Sequence, residues 1–232
     1  MNFPLVTNLQ SLIRDPASFI IRLLVIFIAL SVHEFAHAFA AHKMGDNTAM
    51  NQGRMRFNPL AHFDLFGFLS MMTVGLGWAK PVPVNPNNYR KRPLGDVVVG
   101  LAGVASNFVM AFLSILLYVV LASFVSSSST LLGLALQFLL AMSVLNLSFC
   151  FFNLLPIPPL DGYGVLKETV LIGRVNVNRL WNFERYGWLV LIVLVVLPGW
   201  FGLPGLTSVV GWLVEHVWQG MVYLSLLICG QV

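Results

Sequence analysis

Charged side chains are scarce in this sequence, which has 13 lysines and arginines and nine aspartates and glutamates among 232 residues. Hydrophobic residues make up 58% of the chain, and the mean hydropathy is +0.83. So little charge excludes an ordinary soluble domain and predicts several spans in a lipid bilayer. The length suits one compact bundle, so we predict a single membrane-embedded domain over residues 1–232.

Cysteine is also rare, and the N-terminus lacks the pattern of a removable signal peptide. Cys150 and Cys229 lie in apolar runs, which predicts two small buried hydrophobes rather than a disulfide. No charged segment precedes a short apolar run with a small-residue cleavage site. The net charge of +4 comes from lysines and arginines beside apolar runs, so it indicates topology and no nucleic-acid partner.

Long apolar runs predict the membrane spans. They cover Phe19–Ala41, Val97–Val125, Leu131–Phe152, Trp188–Leu197 and Leu206–Cys229. Residues 1–17 are predicted as a short interfacial helix, and the apolar patch at 65–78 is too short to span. We therefore predict an all-α polytopic bundle of about five to six transmembrane helices. Its core covers residues 19–167, its C-terminal helices cover 183–232, and a small re-entrant or β element lies near residues 50–86.

The positive charges predict the orientation of the chain. Residues 43–93 and 167–185 hold 11 of the 13 lysines and arginines. The positive-inside rule therefore places both segments in the cytoplasm of a multi-pass cell-membrane protein. The sequence HEFAH then lies toward the cytoplasmic end of the first span.

Two histidines and a glutamate within that apolar run are the most informative residues. In a helix, His33 and His37 are separated by four positions, so both rings project from one face. That spacing suits two nitrogen ligands on one zinc ion, and Glu34 can act as an acid or base on a water held by the metal. The alternative is three polar groups satisfied by neighbouring helices, which is costly inside an apolar span.

A catalytic zinc usually has three protein ligands, and Asp161 is the favoured third. It follows NLLPIPPL, where an apolar span meets three prolines that break the helix. A carboxylate at a broken helix inside a bundle indicates a functional site. The alternative is an ordinary turn at the membrane surface. The other histidine and carboxylate candidates are His42, Asp46, His62, Asp64, Asp96, Glu168, Glu184, Glu215 and His216.

Five sequence blocks together resemble the site-2 protease family of intramembrane zinc metalloproteases, peptidase family M50. They are HEFAHAFAAHKMGD, RFNPLAHFD, GWAKPVPVNP, LAGVASN and NLLPIPPLDG, and they extend over residues 30–167. No segment is long or polar enough for an inserted PDZ domain or an added CBS domain, so the resemblance is to the compact form.

The resemblance implies a role for each matching residue. One zinc ion per chain would be bound by His33, His37 and Asp161, with Glu34 as the catalytic acid and base. Asn153 would help to hold the substrate, and Gly103 and Asn107 would serve close packing and hydrogen bonding. The chain departs from the family at Val104, where relatives commonly have proline, which affects the local bend.

The implied substrate is a transmembrane segment of another protein, which must unwind before its peptide bonds can be attacked. Residues 54–57 and 81–86 could form a sheet edge that captures the unwound chain, with Val82 and Val84 in the capturing strand. The alternative is an ordinary proline-rich cytoplasmic loop.

Two other functions and four other residues remain to be weighed. A metal-ion transporter or a catalytically inactive membrane scaffold would also carry buried polar groups, but the chain has no repeated halves and has lost no proposed ligand.

His42 and His62 are predicted as cytoplasmic surface histidines. Glu215 and His216 either line a cavity or gate, or lie at the outer interface, with the last helix beginning near Val217.

Overall fold

The computed structural model describes residues 15–74, 77–123, 130–172 and 174–231. Helices make up most of this part of the chain. In chain order they are α1 (Pro16–Met44), α2 (Thr48–Asn51), α3 (Leu65–Val74), α4 (Arg92–Ser123), α5 (Thr130–Asn153), α6 (Asp161–Leu166), α7 (Val177–Trp200) and α8 (Leu206–Ile228). A π-helical turn at Lys167–Leu171 continues α6. The prediction of an all-α membrane protein is confirmed.

Four helices are long and apolar enough to cross a membrane: α1, α4, α5 and the part of α7 at Asn178–Pro198. Each predicted apolar run corresponds to one helix, but α7 begins at Val177 rather than at Trp188 because charged residues extend its N-terminal end. The last helix, α8, has 23 residues and is not among the four. It begins at Leu206, so the expectation of a start near Val217 is wrong.

The first helix ends at Met44, three residues beyond the predicted span. Gly45 has φ 113°, a left-handed conformation that glycine adopts without a steric penalty, and its N–H bonds to the carbonyls of Ala41 and His42. At the other end, Asp15 caps the helix by accepting a hydrogen bond from the backbone N–H of Ser18 at 3.1 Å.

Three helices, α1, α4 and α5, form the centre of the bundle, and α8 packs on α4 and α5. Apolar side chains of α1 and α5 meet in one buried cluster that includes Val25 and Leu145. A second cluster joins Ile115 of α4, Leu147 of α5 and Val214 of α8. Because α1 is packed on both sides, the polar residues near its C-terminal end lie inside the bundle rather than toward lipid.

The segment between α1 and α4 is tied down by one buried carboxylate. Asp46 is 1% exposed and accepts hydrogen bonds from Thr48, from the Asn85 N–H at 2.7 Å and from Asn88 Nδ2 at 2.8 Å. Burial would raise the pKa of Asp46, but these hydrogen bonds outweigh it and hold the pKa below the usual value of an aspartate. The described part of residues 50–86 contains no strand, so no β element is present there, and α3 has only 10 residues.

Candidate metal centre

The two metal ligands and the catalytic glutamate predicted in HEFAH occupy buried positions on α1. His33, Glu34 and His37 are 5%, 9% and 9% exposed. The two imidazole rings lie edge to face, and their Nε2 atoms are 3.0 Å apart. The helical spacing therefore brings both nitrogens to one point, as the sequence predicts.

Asp161 reaches the same point from the opposite side of the bundle. The chain leaves α5 and runs through a non-helical, proline-rich segment to α6, whose first residue is Asp161. Its Oδ2 atom lies 3.2 Å from Nε2 of His33 and 3.2 Å from Nε2 of His37. The next residue must be glycine, because a Cβ on Gly162 would lie 2.1 Å from the carbonyl oxygen of Leu154. This close approach accounts for the glycine in the sequence LDG.

The three side chains fit a zinc ion. Their separations of 3.0 to 3.2 Å approach the roughly 3.3 Å between ligands of a tetrahedral zinc with bonds of about 2.0 to 2.1 Å. Two imidazoles and a carboxylate are common zinc ligands, and three of them leave a fourth position for water. The Oδ2 atom of Asp161 is buried and has no other hydrogen-bond partner in the described part of the chain. A cation between these atoms would satisfy it.

Helix α4 orients the two imidazole rings through contacts with their Nδ1 atoms. Nδ1 of His37 donates to the carbonyl oxygen of Val99 at 2.7 Å, so its Nε2 carries a free lone pair toward Asp161. The amide of Asn107 lies 3.2 Å from Nδ1 of His33, and Asn107 is fully buried. Its Oδ1 has no partner within the described residues, and rotating the amide by 180° would place that oxygen on the Nδ1–H of His33. The hydrogen of His33 then lies on Nδ1, so Nε2 of His33 also has a free lone pair.

Gly103 permits this contact between α4 and the rings. A Cβ at this position would lie 2.4 Å from Nε2 of His37 and 2.5 Å from Cε1 of His33. The structure thus places Gly103 against both imidazole rings and Asn107 within hydrogen-bond distance of His33.

Glu34 is held by a backbone group 48 residues away. Its Oε2 accepts a hydrogen bond from the N–H of Val82 at 2.8 Å. Pro81 and Pro83 have no N–H, so Val82 supplies the single backbone donor of this three-residue stretch. Val82 is 7% exposed, whereas Val84 is 38% exposed. The two valines that the sequence paired are thus in different surroundings.

A cavity of about 420 Å³ adjoins the cluster and has a size typical of ligand sites. Most of its wall is apolar, with side chains from α1, α3 and α5. Its polar lining includes Ser31, Ser148 and Asn153, whose Nδ2 donates to the carbonyl oxygen of Phe149 at 3.1 Å. Asn153 therefore lies where a substrate contact is expected.

Four residues outside the cluster can be compared with their predicted positions. His42 is partly exposed and contacts Asn47 at 2.6 Å, in agreement with a surface position. The surface prediction is wrong for His62, which is 2% exposed and lines the cavity. Glu215 and His216 are exposed on α8 and do not line that cavity.

Apolar helices around a buried His–Glu–His set and a facing aspartate are the arrangement of an intramembrane metalloprotease. The sequence matches the profile of Peptidase family M50 over residues 21–197, and the chain belongs to this family. It is a zinc metalloprotease of the site-2 protease type.

Two bacterial relatives illustrate the family. The chain is 38% identical over 177 residues to "Putative zinc metalloprotease YwhC" of Bacillus subtilis, which covers 75% of this chain and 80% of the relative. It is 30% identical over 181 residues to "Putative zinc metalloprotease Rip2" of Mycolicibacterium smegmatis, which covers 75% of this chain and 67% of the relative. No solved structure matches the chain significantly.

Proposed function

We propose that this protein binds one zinc ion through His33, His37 and Asp161 and hydrolyses peptide bonds in transmembrane segments of other proteins, with Glu34 as the catalytic acid and base. The observation that carries the proposal is the convergence of ligand atoms of His33, His37 and Asp161, from α1 and α6, beside a buried glutamate. His33, Glu34 and His37 lie on α1, a helix that suits a bilayer, and Asp161 at the start of the short helix α6 meets them there. The substrate bond must therefore reach the site within the membrane.

Zinc held by these residues would supply a Lewis acid and lower the pKa of an attacking water. Glu34 would take the proton of that water and deliver it to the leaving amine. The N–H of Val82 fixes one oxygen of the Glu34 carboxylate, which leaves the other oxygen for proton transfer. Asn153 lies in the cavity wall, where its amide can hold the substrate backbone.

The active site belongs on the cytoplasmic side of the cell membrane in this proposal. Residues 43–93 follow the end of α1 that carries HEFAH, and residues 167–185 follow Asp161, which meets HEFAH; together the two segments hold 11 of the 13 lysines and arginines. The positive-inside rule supports a cytoplasmic position for that end. The segment from α3 to Val82 would then be a re-entrant element that reaches the catalytic glutamate from the same side. A bundle of five spans, with α8 as the fifth, accommodates these positions.

Family membership and the intact site favour proteolysis over the two alternatives. A scaffold without activity would be expected to have lost a ligand or the glutamate, and all four residues are in place. A transporter would need an ion path through the membrane, whereas the cavity adjoins one cluster of ligands.

The function is tested with purified protein in detergent and a fluorescein-labelled peptide that has one apolar span of about 20 residues with Asn-Gly at its centre. We expect cleavage that stops when a chelator removes the metal and returns when zinc is added. A water-soluble peptide with the same central residues should be cut poorly. Cleavage that survives complete metal removal would contradict the proposal.

Replacing Val82 with proline is expected to lower kcat by about tenfold, because the change removes the N–H that positions Glu34. Val82→Ala is the matched control, since it keeps that N–H and shortens only the side chain. Zinc content should stay the same in both variants. If Val82→Pro and Val82→Ala cleave the peptide at equal rates, the hydrogen bond to Glu34 has no catalytic importance.

A further inference from the structure

The active-site cavity contains a buried histidine that the proposed mechanism does not use. His62 is 2% exposed and lines the cavity with Glu34. Its backbone N–H donates to the carbonyl of Pro59 at 3.1 Å, and its own carbonyl accepts from the N–H of Lys80 at 2.8 Å. Its ring nitrogen Nε2 lies 3.1 Å from the carbonyl oxygen of Arg56. The backbone and the ring of His62 are therefore both fixed.

These contacts determine where the ring hydrogen lies. A carbonyl oxygen only accepts, so Nε2 of His62 carries the hydrogen, and Nδ1 of the neutral ring has a lone pair. Nδ1 is buried and has no hydrogen-bond partner among the residues described. A buried acceptor without a partner is unfavourable, and it requires an explanation such as a ligand that supplies the missing donor.

Two serines in the same cavity wall present acceptors as well. The hydroxyl of Ser31 donates to the carbonyl oxygen of Phe27 at 2.6 Å, and that of Ser148 donates to Val144 at 2.7 Å. With their hydrogens used in this way, both oxygens can still accept. Near Glu34, three polar side chains of the wall thus offer lone pairs to a bound molecule.

We propose that His62 Nδ1 accepts a hydrogen bond from a backbone N–H of the unwound substrate segment, with Ser31 and Ser148 as further acceptors. This inference rests on the proposed function and names the group that the cavity recognises. A helix that opens at the scissile bond frees N–H groups that were bonded to carbonyls four residues earlier. In a mostly apolar cavity those N–H groups need acceptors. Because Nδ1 of His62 is buried and its ring is held by the carbonyl of Arg56, the entering substrate must displace the side chains that cover Nδ1.

Two substitutions separate this role from a structural one. In His62→Gln the side-chain amide takes roughly the place of Nε2, so it can still donate to Arg56 but leaves no acceptor at Nδ1. In His62→Asn the amide oxygen takes roughly the place of Nδ1, and the contact with Arg56 is lost. We expect the Gln variant to bind the labelled single-span peptide about three- to tenfold more weakly than wild type, the effect of one neutral hydrogen bond. The Asn variant should stay closer to wild type.

Peptide affinity is measured by fluorescence anisotropy with zinc-loaded proteins that also carry Glu34→Gln, so that the peptide is bound but not cut. The KM of cleavage and the zinc content are recorded on the same His62 variants with Glu34 intact. A second peptide has one N-methylated amide near the scissile bond and so lacks that N–H. Wild type should bind the methylated peptide more weakly than the unmethylated one. The Gln variant should bind the two peptides equally well. The proposal is overturned if the Gln variant binds like wild type, or if only the Asn variant weakens. Because binding is measured without cleavage, an inactive wild-type protein would refute the proposed function while His62 is still tested.

Discussion

Replacing Glu34 with glutamine is expected to lower peptide cleavage by about 10²- to 10⁴-fold, the usual contribution of a general acid and base. The amide has nearly the same shape as the carboxylate, and its oxygen can still accept the hydrogen bond from Val82. It cannot take up a proton from water at neutral pH. His33, His37 and Asp161 are unchanged, so the variant should bind zinc as wild type does. Cleavage of the labelled single-span peptide and metal content are measured on the same preparation.

Glu215→Gln is the matched control for this experiment. It makes the same chemical change at an exposed position on α8, away from the cavity, and should cleave at the wild-type rate. Loss of zinc in Glu34→Gln would mean that the glutamate helps to hold the metal. Full activity in Glu34→Gln would remove it from the mechanism.

The sequence predicts that His33, His37 and Asp161 come together, as they do in the structure, because local rules single out each of them. His33 and His37 share a face at helical spacing, and the length of the apolar run places that face in a membrane. Asp161 stands out because prolines break the helix just before it. Most helix ends also lie within a few residues of the predicted ones, since apolar runs end at charged or glycine-rich segments.

The surroundings of Glu34 do not follow from local rules. The donor to Glu34 is a backbone N–H, which no side-chain pattern reveals, and it comes from a residue 48 positions away. The amide of Asn107 lies 74 positions from His33. His62 is buried only because its loop folds back between α1 and the segment around Lys80. Such contacts depend on tertiary packing, and the resemblance to a family marks the residues without giving their partners.

Replacing Gly103 with alanine is expected to weaken zinc binding by roughly 10- to 100-fold, the range found when groups that orient metal ligands are lost. The added methyl group would overlap both imidazole rings, at 2.4 Å from Nε2 of His37 and 2.5 Å from Cε1 of His33. Either α4 moves away from α1 or the rings rotate. Movement of either kind breaks the 2.7 Å hydrogen bond between His37 and the carbonyl of Val99. Cleavage should fall with zinc occupancy and recover in part at high zinc concentration.

Gly133→Ala on α5 is the matched control, because nothing lies within 4 Å of a Cβ added there. It makes the same substitution within a membrane helix and should bind zinc normally. Asp161→Ala, which removes a proposed ligand, sets the upper limit of the loss. Zinc affinity is measured by competition with a chromophoric chelator, and circular dichroism checks that each variant keeps its helices. If Gly103→Ala binds zinc like Gly133→Ala, α4 does not press on the two rings, and their orientation must come from α1 and Asp161 alone.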